Sequence, residues 1–302
     1  MTIKHLVISG GSVLGFRYMS SLKHLNQLGF WKLEDIVTMY GTSIGTIIAV
    51  CLALNYDWDT LETYIIERPW KEVFKISGKQ IFDSYTTKGI YDAKIIEQSL
   101  KPLLLAKDID INITLLDFYE LTKKELHFMT LNLNKFETID VSYKTHPQLK
   151  LINAVYMSSS IPGAFSPICE EINGEKMCYI DGCALVNYPI NPCIDSGNNP
   201  DEILGIKIDI ESGNHLSKNI IVSSETNILE FLFATCNNLL HYAQNINAVT
   251  PTIKHTILCR INGEEFTLDY IKTVINDKEF RRKLWEQGIT DCADYLLEHK
   301  IT

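Results

Sequence analysis

Two stretches of this chain hold residue types whose spacing could do chemistry. The first is Gly41-Thr42-Ser43-Ile44-Gly45, a serine between two glycines. It follows the β-branched and aromatic run Ile36-Val37-Thr38-Met39-Tyr40 and leads into an apolar run from Ser43 to Leu54. A G-x-S-x-G turn between a strand and a helix holds its serine in a strained conformation with the hydroxyl exposed. Glycines flank it because a Cβ would collide with the neighbouring strand and helix. The helix that follows aims unpaired N–H groups and its positive end at the place where an oxyanion would form. Ser43 is therefore a candidate nucleophile for acyl transfer, with Gly41 and Gly45 as its elbow glycines. The second stretch, Met177-Cys178-Tyr179-Ile180-Asp181-Gly182, ends a short apolar strand on an aspartate followed at once by glycine. Catalytic groups of open α/β sheets sit at such carboxyl ends of strands, and Asp181 is a candidate base.

Ser9-Gly10-Gly11-Ser12-Val13-Leu14-Gly15 has a different use. A glycine-rich turn running into a helix exposes several backbone N–H groups, which suits an oxyanion hole beside the elbow. A dinucleotide fingerprint is the competing reading, with Glu34 or Asp35 near the distance of a ribose-binding acid. It fails where Ser12 replaces the glycine that lets a pyrophosphate approach. Eight histidines (5, 24, 127, 146, 215, 241, 255 and 299) leave a Ser-His-Asp triad open by inventory. His241, on an apolar helix, and His255, at a strand start, read as structural.

The elements that must position these groups alternate. Lys4 to Ser9 reads as a strand, Val13 to Leu28 as a helix ended by Gly29, Ile36 to Tyr40 as a strand, and Ser43 to Leu54 as a helix buried all round. Further helices are expected over Asp57 to Glu67, Asp92 to Leu105, Leu149 to Ser159, Asn227 to Gln244 and Asp277 to Glu298. Further strands are expected over Leu126 to Leu133, Thr138 to Tyr143, Met177 to Ile180, Ile203 to Ile210 and His255 to Arg260. Residues from Lys71 to Gly89 show no period and read as a loop that covers something. The pattern implies an α/β fold, a three-layer α/β/α sandwich on a mainly parallel sheet. Without repeats or a Gly/Ser/Pro linker, residues 1–302 are expected to form one domain.

Composition narrows the class. The 302 residues are 46% hydrophobic and 22% charged, as in a soluble globular protein, and the net charge of -9 lacks the basic footprint of a nucleic-acid binder. The eight cysteines form no C-x-x-C pair or zinc-site spacing, so reduced thiols in a cytosolic protein are expected. Neither a signal peptide nor a run of 18 apolar residues occurs.

Four blocks in order resemble the patatin-like phospholipases and acyl hydrolases: GGSVLG (10 to 15), GTSIG (41 to 45), AVYMSSSIPGAFSPI (154 to 168) and DGCALVNYP (181 to 189). They span residues 4 to about 190, and nothing recognised covers the rest. The resemblance implies a Ser-Asp dyad without histidine, with Ser43 as nucleophile and Asp181 as base. It places an oxyanion hole at Gly10, Gly11 and Ser12, with the N–H of Ile44 as a further donor, and makes Gly15 and Gly182 turn glycines. It implies a lipid or phospholipid substrate. No cofactor or metal is expected, since nothing in the chain looks like a calcium loop, and the lack of targeting signals makes soluble cytosol, with transient contact at membranes, the expected location. The chain departs from the family pattern at Ser12, where a third glycine is usual, and at Leu14, where a basic residue is usual. Two alternatives stand beside this reading: an α/β-hydrolase-like esterase or acyltransferase with a histidine triad, and a catalytically weak lipid-binding member of the patatin fold. The helix around Leu229 to Leu240, with Phe231 and Phe233, reads as core or as the lining of an acyl channel.

Overall fold

The computed structural model describes residues 2–172, 174–210, 222–226, 251–261 and 264–300, with single positions between 228 and 239. Its strands are β1 (His5–Ile8), β2 (Thr38–Thr42), β3 (Gly89–Tyr91), β4 (Glu125–Asn132), β5 (Glu137–Val141), β6 (Gly163–Phe165), β7 (Ile168–Ile172), β8 (Glu175–Asp181), β9 (Ile203–Ile210) and β10 (His255–Ile261). One sheet runs in the order β10-β9-β1-β2-β4-β8-β7, with β5 paired to β4, and a small second sheet joins β3 to β6. From β10 to β4 the pairing is parallel, and β8, β7 and β5 join antiparallel, so the sheet is mixed.

The layers follow from alternation along β1, whose four residues are all buried. Leu6 and Ile8 enter the larger core cluster, with residues of α1 (Gly15–Gln27) and α2 (Ile44–Ala53). Val7 faces the other way, beside Tyr40 and Met129, onto Ile190 and Cys193 of the helix Ile190–Asp195. Successive side chains of a strand point to opposite faces, so helices cover both sides of the sheet, the expected α/β/α arrangement.

Most expected elements lie where their patterns put them. Asp57 caps the helix Trp58–Glu67, accepting from the N–H of Thr60. Residues 71–89, expected as a loop, instead hold the helices Trp70–Val73 and Gly78–Thr87. Ser77 and Gln80 close a reciprocal capping box at the start of the second, a local signal that outweighs the missing apolar period. The helices Leu115–Thr122 and Leu268–Asn276 and the exposed edge strand β7 had no counterpart in the sequence reading. The helix expected over 227–244 lies largely outside the described residues, as do Phe233 and the acyl-channel role. The seven described cysteines are unbridged.

Candidate active site

One edge of β4 explains why Ser43 and Asp181, far apart in sequence, meet. Met129 pairs with Thr42 on one side and with Asp140 of β5 on the other. The next residue, Thr130, pairs with Asp181 on one side and with Ile139 of β5 on the other. Since β5 occupies one edge at both rungs, β2 and β8 share the opposite edge end to end. The former runs parallel to β4 and stops at Thr42; the latter runs antiparallel and stops at Asp181. Their carboxyl ends therefore meet head to head, one rung apart.

Each chain turns away sharply from that meeting. Ser43 has φ 54° and ψ -122°, a conformation that L-residues rarely adopt. The elbow depends on its glycines: a Cβ on Gly45 would lie 2.3 Å from the carbonyl oxygen of Ile8, and one on Gly41 2.7 Å from the carbonyl carbon of Gly45. On the Asp181 side, a Cβ on Gly182 would lie 2.2 Å from the carbonyl oxygen of Met129. Gly15 keeps α1 close to α2, where a Cβ would lie 2.5 Å from Cγ1 of Ile44.

Serines at the end of the helix Leu151–Ser159 tie the two turns together. Ser43 N–H donates to Ser158 Oγ at 3.0 Å, and the Ser158 hydroxyl donates to the carbonyl of Met129 at 2.6 Å. Asp181 N–H donates to the carbonyl of Ser160 at 3.0 Å. These supporting residues were not singled out in the sequence, although a run of three serines closing an otherwise apolar helix is a legible signal. The four blocks included that run without giving it a task.

Asp181 is fully buried, and its Oδ1 accepts from the N–H of Cys183 at 2.8 Å. Among the described residues, none is placed to hydrogen-bond its Oδ2 with good geometry. Burial pushes the carboxyl above its usual range, and the Ser43 hydroxyl and the Cys183 N–H draw it part of the way back. The same burial raises the Cys183 thiol, so it stays protonated. That sulfur is part of the site, since a Cβ on Gly10 would lie 2.2 Å from it and 3.3 Å from Cβ of Ser43.

The glycine loop crosses the site with one change from expectation. The N–H of Gly10 donates to the carbonyl of Asn187 at 3.0 Å, so Gly10 is no oxyanion donor and serves by its close approach to Cys183 and Asn187. The N–H groups of Gly11 and Ser12 find no acceptor among the described residues. Ile44 opens α2, where a helix leaves its first N–H groups unpaired. Tyr18 supports the loop from below, its hydroxyl 2.9 Å from Ser9 Oγ and 3.2 Å from the carbonyl of Gly10.

Ser12 takes φ 51°, the left-handed region that the usual third glycine would occupy freely. A serine can be held there, whereas a β-branched residue is strained. Ser12→Val is expected to cost about 1–3 kcal/mol in urea unfolding, while Ser12→Gly changes stability by less than about 0.5 kcal/mol. Equal stability of the three proteins would show that the loop does not impose this conformation.

Among the described residues, no histidine is hydrogen-bonded to Ser43. His127 has the carboxylate that a triad histidine needs, but both ring nitrogens are taken, Nδ1 by Asp140 at 2.7 Å and Nε2 by Glu125 at 2.8 Å. Burial alone would lower its pKa, yet these two partners raise it, which suits an ion-paired imidazolium rather than a base. His5 pairs with Thr38 and His255 with Tyr295, whereas His215 and His241 lie outside the described residues. The described residues contain no group of three or more His, Cys, Asp or Glu placed to hold a metal ion. None of their helices is long and apolar enough to cross a membrane.

Residues 6–194 match the model of the family described as patatin-like phospholipase. The chain belongs to that family. A curated relative, the probable lipid hydrolase 463L of invertebrate iridescent virus 6, is 29% identical over 197 residues, covering 65% of this chain and 64% of that protein. This chain thus spans less than two thirds of that relative's length. The uncharacterized protein R571 of Acanthamoeba polyphaga mimivirus is 26% identical over 303 residues, 98% of this chain and 94% of that one. Among solved structures, VipD from Legionella pneumophila superposes with a TM-score of 0.56 at 16% identity, over 99% of this chain and 67% of that one. At that identity the likeness concerns the fold. The patatin-like match ends near the helix Ile190–Asp195, so β9, β10 and the C-terminal helices of this protein lie beyond it.

Proposed function

We propose that this patatin-like protein hydrolyses carboxylic esters of lipids, in the manner of a phospholipase A, through an acyl-enzyme on Ser43. The observation that carries the reading is the head-to-head meeting of β2 and β8, which brings the strained Ser43 to a buried aspartate with one oxygen unpartnered among the described residues. A desolvated carboxylate is a stronger base than one in water, which is what a serine without a histidine requires.

Asp181 accepts the Ser43 proton as Oγ attacks the acyl carbonyl. The oxyanion receives the N–H groups of Gly11, Ser12 and Ile44. Collapse expels the lipid alkoxide, which takes the proton from Asp181 and leaves the acyl group on Ser43. Asp181 then deprotonates a water that attacks the acyl-enzyme, and the proton returns to Ser43 as the fatty acid departs. Nucleophile and base are both side chains, so the sequence of steps calls for no metal. A fold retained for lipid binding alone is the second reading, prompted by Ser12 and Leu14; the unpaired N–H of Ser12 in the left-handed conformation favours a working hole. We propose further that it acts in the cytoplasm and meets its lipid at a membrane surface.

A fluorophosphonate probe is expected to label Ser43, read by peptide mass, and to stop fatty-acid release from phospholipid vesicles in EDTA. Release that continues with Ser43 fully labelled would rule out this nucleophile. Absence of both labelling and release would favour the binding reading.

A further inference from the structure

The helix Gly78–Thr87 carries its apolar side chains outward. Phe82 is 84% exposed and Tyr85 93%, and Ile81 and Ile76 stand exposed beside them. Surface aromatics scattered singly need no explanation, but four large apolar residues on one short segment form a patch. The segment is also basic. Lys71, Lys75, Lys79 and Lys88 are all exposed, against the two acids Glu72 and Asp83, in a chain whose net charge is -9. Lys94, Lys101 and Lys123 elsewhere pair with acidic neighbours, whereas none of these four forms an ion pair with a described residue.

The patch is held firmly and connects to the site. Its helix starts in the Ser77–Gln80 capping box and runs into β3, where Gly89 packs so tightly on β6 that a Cβ would lie 2.1 Å from the carbonyl carbon of Phe165. Phe74 and Phe165 pack on Tyr91 of β3, and the Tyr156 hydroxyl donates to the carbonyls of Tyr91 at 3.1 Å and Ser166 at 2.5 Å. Tyr156 lies two residues before Ser158, which receives the N–H of Ser43.

We infer that Ile76, Ile81, Phe82 and Tyr85, with Lys75, Lys79 and Lys88 around them, form a docking surface for the interface of an anionic phospholipid bilayer. Aromatic and aliphatic side chains enter the headgroup boundary while lysines meet the negative surface potential, the combination that interfacial helices use. Lysines opposed by few acids set the sign of the lipid, in a protein whose overall charge would repel it. The inference rests on the lipid-hydrolase reading for its purpose, although binding can be measured without turnover.

The test is flotation of the full chain, carrying Ser43→Ala so that lipid is not consumed, with vesicles of phosphatidylcholine alone or mixed with phosphatidylglycerol. Partitioning to the mixed vesicles is expected, weakening as salt rises. Phe82→Ser with Tyr85→Ser should lower it by about tenfold, and Lys75→Gln, Lys79→Gln and Lys88→Gln together by a similar factor with loss of the salt dependence. Turnover of a soluble short-chain ester by the same surface variants with Ser43 intact should stay at the unsubstituted level. Flotation unaffected by both sets of substitutions, or no flotation at all, would overturn the inference. So would self-association in light scattering that depends on Phe82 and Tyr85, because the patch would then belong to a second copy of the chain. Flotation as expected without any ester turnover would uphold the surface and sink the hydrolase reading instead.

Discussion

Ser43→Ala is expected to lower kcat/KM for ester hydrolysis by about ten-thousand-fold, and Asp181→Asn by nearly as much, because nucleophile and base act as one unit. The two substitutions should differ in stability. Alanine at position 43 keeps the strained φ of 54° and creates no new contact, so unfolding is expected to change little. Asparagine at 181 keeps an oxygen to accept from Cys183 N–H and presents its amide group where Oδ2 lacks a partner among the described residues. It also removes the cost of burying a charge.

The direction of that cost follows from the carboxyl's titration. Burial raises the folded-state pKa above the ordinary 3.8. Between the two values the native protein holds a proton that the unfolded chain has released, so stability is fully present below the unfolded value and falls as pH rises through the folded one. Asp181→Asn should therefore unfold at higher temperature than the unsubstituted protein at neutral pH, with a flatter pH dependence. Activity of the unsubstituted enzyme should rise with pH across the same window, since only the ionised carboxylate can take the serine proton. An Asp181→Asn protein that keeps its activity, or that is destabilised at neutral pH, would remove Asp181 from the role of buried base.

Much of this site was legible from local pattern. Gly41, Ser43 and Gly45 announce an elbow because the pattern is complete within five residues, and Asp181-Gly182 announces a strand end for the same reason. The carbonyls that Gly45 and Gly182 must clear, those of Ile8 and Met129, are distant in sequence and show only in the fold. What local pattern cannot carry is pairing. That Thr42 and Asp181 occupy adjacent rungs of β4 depends on β5 filling the other edge, a fact distributed over four strands. The Gly10 N–H looked available because its acceptor, the carbonyl of Asn187, belongs to a distant turn. Residues 71–89 misled for the opposite reason. Their helix turns its apolar residues to solvent, so no core-facing stripe marks it, and only the Ser77–Gln80 capping box gives it away.

The last third of the chain, outside the family match, also holds the site in place. Asp291 of the C-terminal helix Lys278–Glu298 receives Arg17 of α1 in a two-pronged pair, Nε to Oδ2 at 2.8 Å and a second nitrogen to Oδ1 at 2.6 Å, with both residues buried. Ser21 donates to the carbonyl of Gly288 at 2.7 Å, and the helices approach so closely that a Cβ on Gly288 would lie 2.2 Å from the carbonyl oxygen of Arg17. Since α1 begins at Gly15, straight out of the Gly11–Ser12 loop, this clamp fixes the helix from which the proposed oxyanion donors emerge. Asp291→Ala is expected to leave the guanidinium buried without its counter-charge, holding only the carbonyl of Arg260 at 3.1 Å, and to cost about 3–5 kcal/mol, seen as a fall in Tm on the order of 10 °C. Arg17→Met with Asp291→Leu should recover most of the loss, because an apolar pair of similar volume carries no desolvation penalty. If Asp291→Ala melts within about 2 °C of the unsubstituted protein, water reaches Arg17 and the clamp is not dry. Should the double substitution restore stability but not ester hydrolysis, the charge pair sets the position of α1 itself, and loop geometry depends on the fork that Arg17 makes with the C-terminal helix.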